Sequence, residues 1–256
     1  MIAFRKMVAQ GNDFVIIDGR GQSLPEFGAE QVRRCCDRRW GVGCDQLLLL
    51  AAHPRADAAM RIFNRDGSEA GNCGNGARCA ADWLMRVDGR ARVRIALADR
   101  TIEAWRDGEA VTAEMGDARL LDCDAHHCDV DLGNRHRVCF DAAAQFDPAW
   151  NCEMITGSGE GSLWIEVVER GAGRTPACGT GACAAAVAWW ARTGRAAPLR
   201  VVMPGGAVEV SGTPEALRLR GPVVEVFHGV LSVDSLDRSV SPTRSVHGTC
   251  GARSME

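Results

Sequence analysis

One element, present twice, constrains the fold of this chain more than any other feature. Residues 72–83 read NCGNGARCAADW and residues 177–188 read ACGTGACAAAVA, so each copy gives Cys-Gly-(Asn/Thr)-Gly-Ala and then an Ala-rich apolar stretch. Alanine has the highest helix propensity of any residue, which predicts a helix opening at each Cys-Gly. A second pair of elements, Gly11-Asn12-Asp13 and Gly133-Asn134-Arg135-His136, precedes these in the same order but at a different spacing. The pattern is that of a diverged duplication and predicts two similar lobes, over residues 1–117 and 118–235. The remainder, 236–256, is polar, rich in Ser and Arg and without period, and reads as a loose tail.

Short strands surround the two helical stretches. Phe4–Ala9 and Phe14–Asp18 flank a Gly-Asn-Asp turn, and Leu47–Ala52 and Ala58–Asn64 follow. Arg92–Leu97, Thr101–Arg106 and Ala110–Met115 read as successive antiparallel strands separated by Asp and Gly turns. The second half repeats the manner with His136–Phe140, Ser162–Glu169, Leu199–Met203, Ala207–Ser211, Ala216–Arg220 and Val223–Phe227. Pro25–Arg39 reads as a further helix.

Composition excludes several chemistries. Net charge is −3 and the pI about 6.1, so no basic field is available for nucleic acid or an anionic membrane. The chain has one lysine, Lys6, which leaves a single candidate for a pyridoxal-phosphate Schiff base. Neither a Gly-Lys-Ser/Thr phosphate loop nor a Cys-x-x-Cys is present. The N-terminus lacks the apolar core of a signal peptide. The longest apolar run, Ala182–Ala191, is ten residues, against the roughly 20 that span a bilayer. A cytoplasmic protein is the expectation, with its 12 cysteines mostly as free thiols.

A thiol at a helix N-terminus is expected to have a lowered pKa, because the helix dipole and the free N–H groups favour the thiolate. The N–H groups of Gly74 and Asn75, together with those of Gly179 and Thr180, would form two helix ends able to hold one carboxylate. With Cys73 and Cys178 on either side, such a site suits inversion at the carbon next to that carboxylate. One thiolate takes the Cα proton and the opposite thiol returns one, with no cofactor. The competing reading, a buried thiol at a tight turn, fits either element alone better than it fits the matched pair. A cysteine hydrolase with one thiol paired to His136 stays open as well.

Several stretches resemble the diaminopimelate epimerase family: FRKMVAQGNDFVIID, GVGCDQLLLL, FNRDGSEAGNCGNGARC, ERGAGRTPACGTGAC, VVMPGGAVEV and GPVVEVFHG. The resemblance implies an α/β (α+β) fold of two pseudo-symmetric lobes, each a mainly antiparallel sheet around a central helix. It also implies a cofactor-independent enzyme that interconverts LL- and meso-2,6-diaminoheptanedioate, for lysine and peptidoglycan synthesis. Cys73 and Cys178 match the family's catalytic pair. Asn12, Gln46, Asn64, Asn134, Asn151, Glu169 and Arg170 fall in its substrate-binding motifs, as do Gly74, Asn75, Gly179 and Thr180. In that pattern Asn64 and Arg170 hold the distal carboxylate and amine, Glu169 helps hold the reacting ammonium, and His136 tunes a thiol. Family members are often dimers, so a homodimer is expected.

Two departures bear on the substrate. Arg135 stands where the family has Pro, and the stretch from there to Asn151 is shorter than usual. They motivate an alternative, a same-fold racemase of another amino acid such as histidine. Asp122-Cys123-Asp124-Ala125-His126-His127-Cys128 resembles a metal loop in composition, but its spacing fits no standard zinc pattern and no metal is expected.

Overall fold

The computed structural model describes residues 1–141 and 147–232, together with Asp234 and Leu236. Its first half runs β1 (Ile2–Ala9), β2 (Asn12–Asp18), α1 (Ala29–Cys36), β3 (Gln46–Ala51), β4 (Ala58–Asn64), β5 (Glu69–Ala70), α2 (Gly74–Asp88), β6 (Arg92–Ala96), β7 (Thr101–Asp107) and β8 (Ala110–Gly116). The second half runs β9 (Arg119–Cys123), β10 (His127–Asp131), β11 (Arg135–Cys139), β12 (Asn151–Gly159), β13 (Ser162–Glu169), β14 (Gly173–Thr175), α3 (Gly179–Thr193), β15 (Leu199–Met203), β16 (Gly206–Thr213), β17 (Ala216–Pro222) and β18 (Val224–Leu231).

Strand pairing repeats between the halves. An antiparallel β1–β2 pair, a parallel β2–β3 pair and an antiparallel β3–β4 pair match β10–β11, β11–β12 and β12–β13. The strand after each long helix returns parallel to the one before it, β6 beside β4 and β15 beside β13. An antiparallel meander then closes each half. β17 pairs with β8 and joins the two halves, while β18 crosses back to pair with β1, as β9 pairs with β10.

Each long helix is buried against the strands of its own half. Leu48 and Leu50 of β3 face α2, with Phe14 and Ile16 of β2, and the intervening Leu47, Leu49, Val15 and Ile17 face α1. This period-two alternation explains why the β3 run is leucine on both faces. In α3 every residue from Gly179 to Ala188 is buried, as expected of a helix that is apolar all round. Small alanines let the sheet close around it. Both helices end on a left-handed glycine, Gly89 and Gly194, which supplies the positive φ a C-terminal turn requires.

Two expectations change, those for the first helix and for the tail. The helix expected over Pro25–Arg39 shrinks to Ala29–Cys36: Gly28 is its extended N-cap, and at the other end Asp37 turns extended and accepts the backbone N–H groups of Arg39 and Trp40. The metal-like loop is the β9–β10 hairpin. Cys123 and Cys128 face each other across it and are joined as a disulfide, and the other nine cysteines among the described residues are free thiols. His126 pairs instead with Asp141, and no cluster able to hold a metal occurs among the described residues. Leu236, the first residue of the expected tail, is buried against Leu231 and the α1 layer, and 237–256 lie outside the described residues. Residues 142–146 of the shortened stretch also lie outside them. No described helix is long and apolar enough to cross a membrane.

Candidate active site

Helices α2 and α3 begin side by side. A Cβ built on Gly179 would lie 3.2 Å from Oδ1 and 3.4 Å from the backbone nitrogen of Asn75, so a side chain here would crowd the contact between the two helix ends. Each helix is capped by its own cysteine. Cys73 is extended, and its Sγ accepts the Gly76 N–H at 3.4 Å; Cys178 is extended, and its Sγ accepts the Gly181 N–H at 3.3 Å. The sulfurs therefore occupy the position where a Ser or Asp commonly caps a helix. First-turn N–H groups have no partner within their own helix, and Gly74, Asn75, Gly179 and Thr180 supply them at one place.

The thiols do not have the lowered pKa expected from the helix ends alone. Burial pushes Cys73 up to about 11, and the Glu169 carboxylate adds to it, against the lowering by the Gly76 and Asn75 N–H groups and Arg78. Burial also holds Cys178 well above its ordinary value, with Glu169 and Glu153 acting in the same sense. Desolvation and the neighbouring carboxylates outweigh the backbone dipoles. Cys73 keeps part of its surface open, whereas Cys178 is 9% exposed.

The other expected residues sit at or beside the ends of strands. In the first half, the Asn12 amide donates to Asp45 at 3.0 Å and Gln46 donates to Asn64 at 2.9 Å, with Asn64 in turn donating to Ser68. In the second half, Asn134 donates to the Thr180 hydroxyl at 3.2 Å, and that hydroxyl lies 3.3 Å from the Cys178 sulfur. Asn151 donates to the Arg135 carbonyl and accepts the Arg170 backbone N–H, which ties the end of β13 to the start of β12. The Arg170 side chain is exposed. Glu169 accepts a 2.6 Å hydrogen bond from Thr175, and burial raises its pKa. Its charge acts in the same sense on both thiols.

His136 is fully buried and its Nδ1 sits 2.8 Å from Glu153, also fully buried; its other ring nitrogen has no partner among the described residues. It is thus not paired with a thiol, which removes the hydrolase arrangement. Two residues here were not anticipated. Glu153 lies on β12, a strand the alternation did not reveal, two residues after Asn151. Arg78 lies in the Ala-rich stretch of α2 and is fully buried, which nothing in that local pattern marks.

The family model described as "Diaminopimelate epimerase" matches residues 4–121 and 130–226. A diaminopimelate epimerase of Desulforudis audaxviator is 38% identical over 88% of this chain and 98% of its own length. One of Gluconobacter oxydans is 36% identical over 89% of this chain and 98% of its own length. Among solved structures, a probable proline racemase from Agrobacterium radiobacter covers 93% of this chain and 94% of its own at TM-score 0.72 and 15% identity. A predicted epimerase from Pseudomonas aeruginosa covers 90% of this chain and 99% of its own at TM-score 0.71 and 15% identity. At that identity the structures bear on the fold alone.

Proposed function

Since this chain belongs to the diaminopimelate epimerase family, we propose that it interconverts LL- and meso-2,6-diaminoheptanedioate by two-base proton transfer at Cα. The observation that carries this reading is the pair of thiols capping two abutting helices. One thiolate removes the Cα proton and becomes a thiol. The electron pair left on carbon delocalises into the α-carboxylate, which lies against the first-turn N–H groups of both helices. The opposite thiol then donates its proton to the other face and becomes the thiolate. Fixed dipoles aimed at developing negative charge lower such a barrier most effectively where water is excluded. Neither step calls for an electron sink beyond the substrate's own carboxylate.

Recognition follows from the strand ends. Glu169 holds the reacting ammonium, while Arg170 and Asn64 take the distal carboxylate and amine, with Asn151 fixing the backbone from which Arg170 projects. An arginine fork grips a carboxylate through two hydrogen bonds. The same reading makes the protein a cytoplasmic enzyme acting on a small amino acid. A same-fold racemase of another amino acid is not favoured, given relatives at 36–38% identity along nearly the whole chain. Incubation with the LL substrate in D₂O, without pyridoxal phosphate, tests the proposal. Meso product with deuterium at one Cα is expected; no exchange with this substrate, alongside exchange into another amino acid, would overturn it.

A further inference from the structure

Arg78 is the largest fully buried side chain in the described structure, and it carries a formal charge. It extends from the second turn of α2. Its guanidinium donates to the Asn75 and Gln10 side-chain oxygens and, at 3.5 Å, to the Pro222 carbonyl. These acceptors are neutral, its Nε has no partner, and no carboxylate pairs with it among the described residues. Burying an isolated cation is costly, and an arginine near a helix N-terminus also opposes the helix dipole. A fold that tolerates both should hold the group in place for a reason.

The surroundings fix its position. Gln10, which accepts from Arg78 and donates to Pro222 at 3.2 Å, is the one non-glycine residue with positive φ (50°) among those described. That φ belongs to the two-residue turn between β1 and β2, which requires positive φ at both central residues, so the hairpin fixes where Gln10 stands. Gly221 leaves the space that the guanidinium fills, for a Cβ there would stand 2.6 Å from its nearer nitrogen. The Asn75 oxygen that accepts from Arg78 is the same atom that lies against Gly179 at the start of α3. The guanidinium thus sits just behind the place where the two helix ends meet. Its charge is felt by Cys73 and Cys79 on its own helix and by Cys183 on the other.

We propose that Arg78 is a positioning residue: a fixed, internally unpaired cation behind the α2 and α3 N-termini whose counter-ion is the anion held at them. That anion is the Cys73 thiolate or the α-carboxylate of a bound amino acid. This rests on the proposed two-thiol reaction for the carboxylate, but not for the thiolate. The charges facing Cys73 are Arg78 from α2 and Glu169 from β13, with Cys178 at the neighbouring helix end and Glu153 behind it.

The test measures the pH dependence of Cys73 alkylation by iodoacetamide in the substrate-free protein, mapped by peptide mass, together with the steady-state kinetics. Arg78→Met should raise the alkylation midpoint by up to roughly one pH unit, the direction expected for loss of a neighbouring positive charge. It should also raise KM about tenfold, one power of ten for each lost 1.4 kcal/mol. Arg78→Lys should restore most of the midpoint, and Gly221→Ala, which keeps the charge but displaces it, should shift it upward by less. An unchanged midpoint in folded Arg78→Met overturns the proposal. If that variant does not fold, an unchanged midpoint in Gly221→Ala overturns it. The midpoint is read without substrate, so failure of the epimerase reading would leave this result standing.

Discussion

The two helix ends share a backbone but not an electrostatic setting. Beneath α2 lie Phe14, two residues after Asn12, and Leu48, two after Gln46, and a Cβ on Gly76 would lie 3.2 Å from the first and 3.3 Å from the second. At the corresponding places beneath α3 lie His136, two residues after Asn134, and Glu153, two after Asn151, and the atom nearest a Cβ on Gly181 belongs to Glu153. A buried hydrogen-bonded pair has replaced an apolar one. In the other direction, α2 carries Arg78 five residues after its cysteine where α3 carries Cys183. One thiol therefore has a cation behind it and the other a carboxylate. In a two-base reaction one thiol must be ionised whenever the other is protonated. Identical surroundings would leave the two arrangements equal in energy, and unequal charges separate them. The strand pairing repeated in both halves supplies the paired geometry, and the different residues beneath the caps supply the difference between them.

Removing either half of the pair is the most severe way to break the comparison. Cys73→Ala and Cys178→Ala should each lower the epimerisation rate by about 10³-fold or more, in the upper range for loss of one acid–base group. Circular dichroism should stay unchanged. If either variant keeps full activity, the caps are not equivalent partners.

Converting the second half into the first sharpens it further. Glu153→Leu leaves His136 buried without its partner and should destabilise the fold by about 3 kcal/mol. Adding His136→Phe, which recreates the Phe14–Leu48 arrangement, should recover much of the melting temperature while activity stays low. A double variant no more stable than the single one would mean that the pair contributes through packing alone.

Glu169 acts on both thiols, so its removal should affect the halves alike. The sign is that of a lost neighbouring negative charge: Glu169→Gln lowers both thiol pKa values. Alkylation of the free enzyme at pH 8 should quicken by about three- to tenfold, each pKa unit being a factor of ten in thiolate. Acceleration of one thiol only would place the carboxylate on one side.

The smallest effect expected belongs to a charge cluster found in the first half. Asp13 accepts from Lys6 and from Arg38, and Arg38 also bonds Asp45, which holds Asn12. Burial alone would raise the Asp13 pKa, but the Arg38 and Lys6 hydrogen bonds hold it well below the usual carboxylate range. A depressed folded pKa contributes stability above the unfolded value, near 4, which is lost as pH falls through the folded value. Asp13→Asn should therefore cost about 1–2 kcal/mol at pH 7 by chemical denaturation. It should also flatten the loss of stability below pH 4.

Much of this was legible in the sequence. The caps and helices were, because Cys-Gly-x-Gly-Ala and its Ala-rich continuation are local signals repeated in order. So were strands such as Ser162–Glu169 and Leu199–Met203, whose bounds the structure reproduces. The β9–β10 hairpin was not, since Asp, His and Cys suggest a metal loop and only the register shows that Cys123 and Cys128 oppose each other. The return of β18 to β1 is a pairing over almost the whole chain length, for which no local pattern exists. Glu153 and Arg78 read as ordinary charged residues until packing buries them. The thiol pKa is not legible there, because helix N–H groups are visible in the sequence while the desolvation that outweighs them is a property of the closed fold.

The central claim, two bases on opposite faces of one carbon, is tested most directly by early isotope distribution. With the LL substrate in D₂O and conversion held low, the meso product should carry deuterium at the inverted Cα while the recovered substrate carries none. Each hydrogen then leaves on one thiol and arrives from the other. A product that retains the substrate's own hydrogen, or substrate that gains deuterium as fast as product forms, would contradict it.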